Sequence, residues 1–484
     1  MTEIEIQGQS PHEFAAPLHP SLEESNPIAP AQPRKWINQA PARLIGWTGL
    51  GPERLCVRRA AGLFVPARAS MSSTASVPGL PARLVHLLEH GARDAAAAEA
   101  EHSTHAPAAQ QTPGTRASAL KLAAIAARKQ LGTCVMPDLL DDPVYADTIV
   151  RNFTHVVVEH HMKWEPLTSP TSAGSAWGGP YRKAGKQFTA LSGCYDFGPA
   201  DKIVDWAIGH GLNVKGHTLC WHVTSPAWLG ELTSEQCAEA LRRHIFTTCG
   251  HFRGRVESWD VVNEALAPDG SLADTVFLRK MGPGYIAQAF KWAREADADA
   301  LLIYNDNKVE GSLPPLTKRD TQGAAESCCC APVPDFYRKS DAMYALLQGL
   351  LDQGVPIGAV GLQAHFNAAG IGLGRCPSPA AVATNVKRLA ALGLRVNISE
   401  LDVRISKLPP IATSDTADKL RRNCSQAQIY HDVLNAALDV DGFEGVWLWG
   451  FTDKHTWVTE FYHEDAPLVF DTEFQVRKNL EFRI

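Results

Sequence analysis

The chain has 484 residues and a formal net charge of −6, with 45% hydrophobic and 20% charged residues. These proportions are typical of globular proteins, and the interspersed charges give no electrostatic reason to expect a nucleic-acid partner. No run reaches the roughly 18–20 consecutive apolar residues that a membrane-spanning helix needs, so we expect no membrane association.

The cysteines and histidines do not show the spacings that metal sites use. Eleven cysteines are present, none of them in a C-x-x-C pair, and no H-E-x-x-H sequence occurs. Structural and catalytic zinc sites usually carry such short repeats. We therefore predict no metal site and no cofactor.

The N-terminal part of the chain differs in composition from the rest. Residues 1–117 are rich in alanine, proline, serine and glutamine and lack a sustained apolar stripe. Low-complexity segments of this kind cannot bury enough apolar surface to offset the entropy of folding. We predict a long, largely disordered extension, and its acidic, polar first ten residues do not resemble a secretory signal peptide.

From about residue 118, short apolar runs alternate with amphipathic stretches of helical length. The predicted strands are Leu131–Val135, Thr154–Val158, Val214–Leu219, Val256–Val262, Leu301–Tyr304, Ile357–Leu362, Leu394–Ile398 and Gly445–Leu448. The predicted helices are Pro199–Gly209, Ser234–Cys249, Tyr285–Ala296, Lys339–Leu351, Pro379–Leu392 and Ser425–Leu438. This alternation is typical of an α/β fold with a parallel sheet.

Eight strands over residues 118–484 predict a (β/α)8 TIM barrel. We expect two insertions, near residues 165–195 and 311–335. A doubly wound sheet would also alternate strands and helices, but it usually has a glycine-rich turn after its first strand, and LGTCVMPD is not such a turn.

Most of the predicted strands end in polar or indole side chains. These are Glu159, His217, Trp221, His222, Asn263, Glu264, Asn305, Asp306, Gln363, His365, Glu400, Asp402 and Trp449. In a (β/α)8 barrel the C-terminal strand ends meet at one face, which is where active sites lie. We therefore expect these residues to surround one cleft.

Two carboxylates in this set lie across the predicted barrel from each other. Glu264 follows the fourth strand in SWDVVNEAL, and Glu400 follows the seventh in NISELDVR. A pair of carboxylic acids on either side of a bond is the machinery of glycoside hydrolysis. Acids and imidazoles could also hold a metal, but the mixture with amides and with indoles at Trp221, Trp449 and Trp457 favours a sugar.

Six motifs together resemble glycoside hydrolase family 10, whose members are chiefly endo-1,4-β-xylanases. In chain order they are EHHMKW, GHTLCWH, WDVVNEAL, GLQAHF, NISELDVR and WLWGFTDKHTW. The resemblance implies retaining hydrolysis of internal β-1,4 bonds of xylan, with Glu264 as general acid/base and Glu400 as nucleophile. Glu264 must then hold its proton near neutral pH, and we expect the neighbouring charge of Glu400 to raise the pKa of Glu264.

The resemblance also implies roles for supporting residues. Asn263 is expected to bond the substrate 2-hydroxyl and Glu400, while His365 and Asp402 are expected to fix and ionise Glu400. The residues expected to bind sugar on the non-reducing side are Glu159, Lys163, His217, Trp221, Gln363, Trp449 and Trp457.

Three positions in the expected cleft depart from the family pattern. His160 replaces a usual Asn, Thr224 replaces a frequent Gln, and Asn307 replaces a Tyr that often lines the leaving-group side. A retaining β-1,4-glucanase or a β-glycanase of mixed specificity therefore stays an alternative, and so does a non-catalytic polysaccharide-binding barrel. The resemblance implies a secreted protein that acts on xylan or xylo-oligosaccharides, and we expect a monomer.

Overall fold

The computed structural model describes residues 116–168, 195–312, 335–368, 376–405, 415–462 and 465–477. The predicted N-terminal extension lies outside these ranges except for its last two residues. Residues 169–194 and 313–334, which make up most of the two predicted insertions, also lie outside them.

The described residues contain nine strands, and the ladders between them are parallel. They are β1 (Gln130–Val135), β2 (His155–Val158), β3 (Asn213–Cys220), β4 (Ser258–Asn263), β5 (Leu301–Asp306), β6 (Ala359–Leu362), β7 (His365–Asn367), β8 (Arg395–Arg404) and β9 (Phe443–Leu448). β1 pairs with both β2 and β9, and β6 pairs with both β5 and β8, so the sheet closes on itself. The predicted (β/α)8 barrel is confirmed, because a doubly wound sheet would leave two open edges.

The sixth strand of the barrel is interrupted, which the sequence did not predict. β6 ends at Leu362, and β7 begins at His365 and pairs with the outer half of β8. Ala364, within the interruption, has a left-handed backbone with φ of 64°. β8 is also longer than predicted, so Glu400 and Asp402 lie inside a strand rather than beyond its end.

Helices connect the strands and cover the outside of the barrel. They are α1 (Ala119–Ala126), α2 (Pro143–Asn152), α3 (Trp164–Thr168), α4 (Gly198–Gly209), α5 (Ser234–Phe252), α6 (Val276–Met281), α7 (Tyr285–Ala296), α8 (Asp335–Asp352), α9 (Pro379–Ala390), α10 (Asp415–Leu438) and α11 (Trp457–Phe461). Local sequence sets some of the starts: Thr233 and Gln236 form a capping box before α5, and Ser378 caps α9. Within the described part of the chain, no helix combines the length and the apolar character needed to cross a membrane.

Two fully buried indoles pack directly against the strands. A Cβ atom at Gly132 would lie 2.1 Å from the ring of Trp447, and one at Gly216 would lie 2.2 Å from the ring of Trp259. Only a residue without a side chain allows such a close approach of ring and backbone. The two glycines therefore let large rings fill space beside the strands that carry the site.

Candidate active site

The strand order brings the predicted site residues to one end of the barrel. β4 ends at Asn263 and is followed by Glu264, β5 ends at Asp306, and the outer half of β8 carries Glu400. The backbone N–H of Glu264 donates to the carbonyl oxygen of Asn305 at 2.9 Å, which joins the ends of β4 and β5.

Glu264 is half-buried and has a left-handed backbone, with φ of 55°. A residue other than glycine adopts this conformation rarely, at a cost of about 1–3 kcal/mol. Its carboxylate accepts hydrogen bonds from the indole of Trp221 at 2.9 Å and from the side-chain amide of Gln363 at 3.0 Å. The strained turn therefore directs the carboxylate towards donors that follow β3 and β6.

The pKa of Glu264 is lower than the usual value for a glutamate. Burial raises this pKa, but the hydrogen bonds from Gln363 and Trp221 and the positive charge of Lys339 together outweigh burial. Donors that bind the charged form of a carboxylate favour that form. The sequence-based expectation of a raised pKa is therefore wrong for the free protein.

Glu400 is buried, and both of its carboxylate oxygens have partners. Asn305 donates its side-chain amide to Oε1 at 2.7 Å, and Nε2 of His365 lies 3.1 Å from Oε2. Asn305 also donates to Oδ1 of Asn263 at 2.9 Å. In the described ranges the amide hydrogen bond to Glu400 thus comes from Asn305 and not, as expected from the resemblance, from Asn263.

His365 lies between two carboxylates. Its Nδ1 is 2.7 Å from Asp402, which also accepts a hydrogen bond from the indole of Trp457 at 2.9 Å. Burial lowers the pKa of His365, but the charges and hydrogen bonds of Asp402 and Glu400 raise it to about 10. The ring is therefore protonated at neutral pH and can donate to Asp402 and Glu400 at once.

Side-chain amides connect the two carboxylates of interest. Gln363 donates to Glu264 at 3.0 Å and to Asn263 at 3.1 Å. Asn305 then joins Asn263 to Glu400. A continuous hydrogen-bonded chain therefore runs from Glu264 through Gln363, Asn263 and Asn305 to Glu400.

A second group of predicted residues forms a wall beside the carboxylates. Glu159, Lys163 and His217 are all buried. The ammonium of Lys163 lies 4.9 Å from the ring centroid of Trp221 and 6.0 Å from that of Trp449. The ring of His217 lies 5.1 Å from that of Trp449. The structure thus brings the polar and aromatic members of the predicted sugar-binding set together.

Three potential metal-ligating atoms, from His217, Asp260 and Glu400, lie within 4.8 Å of one another. Asp260 already has partners within the protein, because its Oδ2 lies 2.9 Å from Nδ1 of His217 and 3.2 Å from the ammonium of Lys215. Burial raises the pKa of Asp260, but Lys215 and His217 outweigh burial and lower it. Asp260 therefore orients His217, and this set belongs to the carboxylate cleft rather than to a separate centre.

Two of the departures from the family pattern have defined surroundings. His160 is buried, and burial together with the charge of Lys163 lowers its pKa to about 2, so the ring is neutral at physiological pH. The side-chain oxygen of Asn307 accepts a hydrogen bond from Lys339 at 3.0 Å.

Sequence reasoning missed the roles of two residues. It placed Asn305 in the cleft but gave it no function, although an amide at a strand end beside a carboxylate is a usable signal. Lys339 was not singled out. It is buried on α8 and forms an ion pair with Asp306 at 2.7 Å, and nothing in its local sequence indicates this long-range contact.

Comparisons with known proteins agree with one another. A family model described as Glycosyl hydrolase family 10 matches residues 119–322 and 333–482. The chain is 32% identical over 349 residues to a beta-1,4-xylanase of Dictyoglomus thermophilum, and the match covers 69% of this chain and 82% of that protein. It is also 32% identical over 339 residues to endo-1,4-beta-xylanase B of Thermotoga neapolitana, with 69% and 81% covered.

Solved structures show the same likeness. The crystal structure of xylanase 10B from Thermotoga petrophila RKU-1 in complex with xylobiose aligns with a TM-score of 0.60 and 28% identity, and covers 77% of this chain and 97% of that one. The family match extends over more than half of the chain and includes Glu264 and Glu400. The chain therefore belongs to glycosyl hydrolase family 10.

Proposed function

We propose that this protein is a retaining endo-1,4-β-xylanase that hydrolyses internal bonds of xylan by double displacement. One observation carries the proposal: Glu264 directly follows β4, Glu400 lies on β8 beyond β5 and β6, and side-chain amides link the two carboxylates across the cleft. Two carboxyl groups on either side of one bond are the machinery of glycoside hydrolysis, and membership of glycosyl hydrolase family 10 favours its retaining form.

In the first step, Glu400 attacks the anomeric carbon while the glycosidic carbon–oxygen bond breaks. Glu264 gives its proton to the departing sugar oxygen, and Glu400 becomes a glycosyl ester. Bound sugar removes water from around Glu264, which favours the protonated form that this step requires.

In the second step, the roles at Glu264 reverse. Its carboxylate accepts a proton from water, the water oxygen attacks the anomeric carbon, and the ester bond to Glu400 breaks. In the glycosyl ester Glu400 carries no negative charge, so the ionised form of Glu264, which this step requires, is favoured.

The supporting residues have defined positions in this scheme. The protonated ring of His365, held by Asp402, donates to Glu400 and orients it for attack. Asn305 holds the other oxygen of Glu400, and Asn263 is available to the substrate 2-hydroxyl. Such preorganised donors act without reorganisation during the reaction.

The substrate wall supports a xylose unit on the non-reducing side. Its polar members, Glu159, Lys163 and His217, would bond sugar hydroxyls, and the indole of Trp449 would cover a sugar face. Xylose lacks the C5 hydroxymethyl group of glucose, so the preference for xylan depends on how closely Trp449 closes over C5. The similarity to named xylanases at 32% identity favours xylan over glucan.

The proposed substrate also bears on the location of the protein. Polymeric xylan is found outside cells, so a secreted, monomeric enzyme fits the proposed substrate.

Product analysis tests the reaction and the substrate together. We expect the full chain to release xylo-oligosaccharides from soluble xylan faster than it cuts β-1,4-glucan, with products that first appear as the β anomer in NMR spectra. The Glu400→Ala variant should lose about 10⁴-fold or more of kcat, as enzymes do when a covalent nucleophile is removed. Folded protein that binds xylan without cutting it, α-anomeric first products, or full activity in Glu400→Ala would each contradict the proposal.

A further inference from the structure

One buried carboxylate near the cleft has no part in the mechanism described above. Glu310 follows β5 and is only 3% exposed. Burying a carboxylate is costly unless it gains hydrogen bonds or opposite charges. The position of its partners therefore indicates what Glu310 does.

Glu310 binds two backbone N–H groups through a single oxygen. Its Oε1 accepts from the N–H of Ala364 at 2.9 Å and from that of Lys308 at 3.1 Å. Both donor residues have left-handed backbones, with φ of 64° for Ala364 and 59° for Lys308. Such strain at residues other than glycine persists only where the surroundings impose it.

The turn at Ala364 lies between two residues of the cleft. On one side, Gln363 donates to Glu264 at 3.0 Å, and on the other, His365 lies 3.1 Å from Glu400. A movement of Ala364 would therefore shift the partners of both carboxylates. No hydrogen bond from Glu310 to either carboxylate is found among the described residues.

We infer that Glu310 is a positioning residue, which holds the Gln363–His365 turn so that Gln363 and His365 reach Glu264 and Glu400. The inference rests on the proposed function, because it assumes that these two carboxylates perform the reaction. Through this turn, one buried acid in the loop after β5 fixes the positions of the hydrogen-bond partners of both carboxylates.

The chain offers a matched control in Asp297, which lies at the opposite end of β5. Asp297 is 2% exposed, and its Oδ1 accepts from the N–H groups of Asp299 at 3.1 Å and Ala300 at 3.3 Å. It is therefore another buried carboxylate that holds a backbone turn, but far from the cleft. Glu310→Met and Asp297→Leu each replace the accepting carboxylate by an apolar side chain of similar size.

Kinetics of the full-length variants on an aryl xylobioside test the inference. We expect Glu310→Met to lower kcat by roughly 10- to 100-fold with a much smaller change in KM, because small misplacements of reacting groups cost about that much. Glu310→Gln puts an amide oxygen in place of the accepting carboxylate oxygen, so most of the kcat lost in Glu310→Met should be recovered. Asp297→Leu should lower the melting temperature and leave kcat and KM unchanged.

NMR spectra of the His365 ring give a readout that does not depend on activity. The ring N–H signals held by Glu400 and Asp402 should be seen in the parent protein and in Glu310→Gln, and should shift or disappear in Glu310→Met. If Glu310→Met does not fold, Glu310→Asp replaces it, since its shorter carboxylate cannot reach both N–H groups and should also lower kcat.

Two results would overturn the inference: unchanged kcat and ring signals in a folded Glu310→Met protein, or an equal loss of kcat in Asp297→Leu. Failure of the proposed function would look different. The parent protein would then release no sugar from xylan, while the His365 signals would still respond to Glu310→Met.

Discussion

The two ends of the barrel both carry charged side chains, but they arrange them differently. At the N-terminal ends of the strands, Glu257 pairs with His155 at 3.0 Å and Glu444 pairs with Arg395 at 2.6 Å. In each pair one partner is well exposed to solvent. Pairs of this kind contribute about 0–1 kcal/mol to stability.

At the C-terminal ends the charges are shared. Glu400 and Asp402 divide one imidazolium between them, and Glu264 is bonded by an indole and an amide rather than by a cation. A left-handed backbone at Glu264 adds strain at the same end. The difference teaches that strain and buried charge at the C-terminal end hold carboxylates ready for chemistry, whereas the acids at the N-terminal end, buried Asp297 included, hold pairs and turns that serve stability.

Removing the amide of Asn305 should break this arrangement with the largest effect. Asn305 donates to Glu400 and Asn263, and its own oxygen accepts from the hydroxyl of Ser399 at 2.6 Å. We expect Asn305→Ala to lower kcat by about 10²- to 10³-fold, the usual cost of losing one preorganised donor at a reacting group. Steady-state kinetics on an aryl xylobioside measure the effect.

The matching amide at the other end provides the control. Asn213 lies 3.2 Å from the ring of His155, and we expect Asn213→Ala to keep kcat within about twofold, because residues at this end of a barrel serve stability. A folded Asn305→Ala protein with the kcat of the parent would show that Asn305 does not support the reaction.

The hydrogen bond from Trp221 to Glu264 predicts a smaller effect, seen in the pH dependence. This bond helps to lower the pKa of Glu264, so its loss should raise that pKa. Glu264 must be protonated to donate, so kcat/KM falls as pH rises through its pKa in the free enzyme. In Trp221→Phe the alkaline limb should therefore move to higher pH, with a loss of kcat/KM of roughly tenfold at the optimum, in the range typical of a lost hydrogen bond to a charged group.

The control for this prediction is Trp449→Phe. It removes another indole N–H from the same wall, and no hydrogen bond from Trp449 to Glu264 is found among the described residues. The alkaline limb should stay in place, whatever happens to KM. An equal movement of the limb in both variants, or none in Trp221→Phe, would contradict the assignment of the limb to Glu264.

The barrel and its two central carboxylates could be predicted because their signals are local. Apolar runs mark each strand, and in a closed parallel sheet their C-terminal ends must meet, so the sequence pattern alone places Glu264 and Glu400 at one face. The same rule places His365 and Asp402 beside Glu400.

The balance of charge in the cleft could not be predicted, because it depends on distances between elements far apart in the chain. The sequence shows two carboxylates and predicts repulsion, which would raise the pKa of Glu264. The structure adds donors from Trp221 and Gln363 and the charge of Lys339, and these reverse the direction. The break in the sixth strand at Ala364 was also missed, because the stabilising partner, Glu310, lies in another loop.

The smallest expected effect comes from the exposed pair at the N-terminal end. Glu257 is 37% exposed, so Glu257→Gln should lower the free energy of unfolding by less than about 1 kcal/mol and leave kcat unchanged. Urea unfolding and kinetics on the same sample measure both quantities.

Glu264→Gln completes the comparison at the other end of the barrel. It removes a charge that Gln363, Trp221 and Lys339 stabilise in the folded protein, so we expect a lower free energy of unfolding at neutral pH, together with a loss of most of the activity on xylan. Substrates with a leaving group that needs no proton should lose far less, since Glu264 acts there only in the second step. A loss of kcat of about tenfold or more in Glu257→Gln, comparable with one lost catalytic contribution, would place chemistry at both ends of the barrel and remove the distinction.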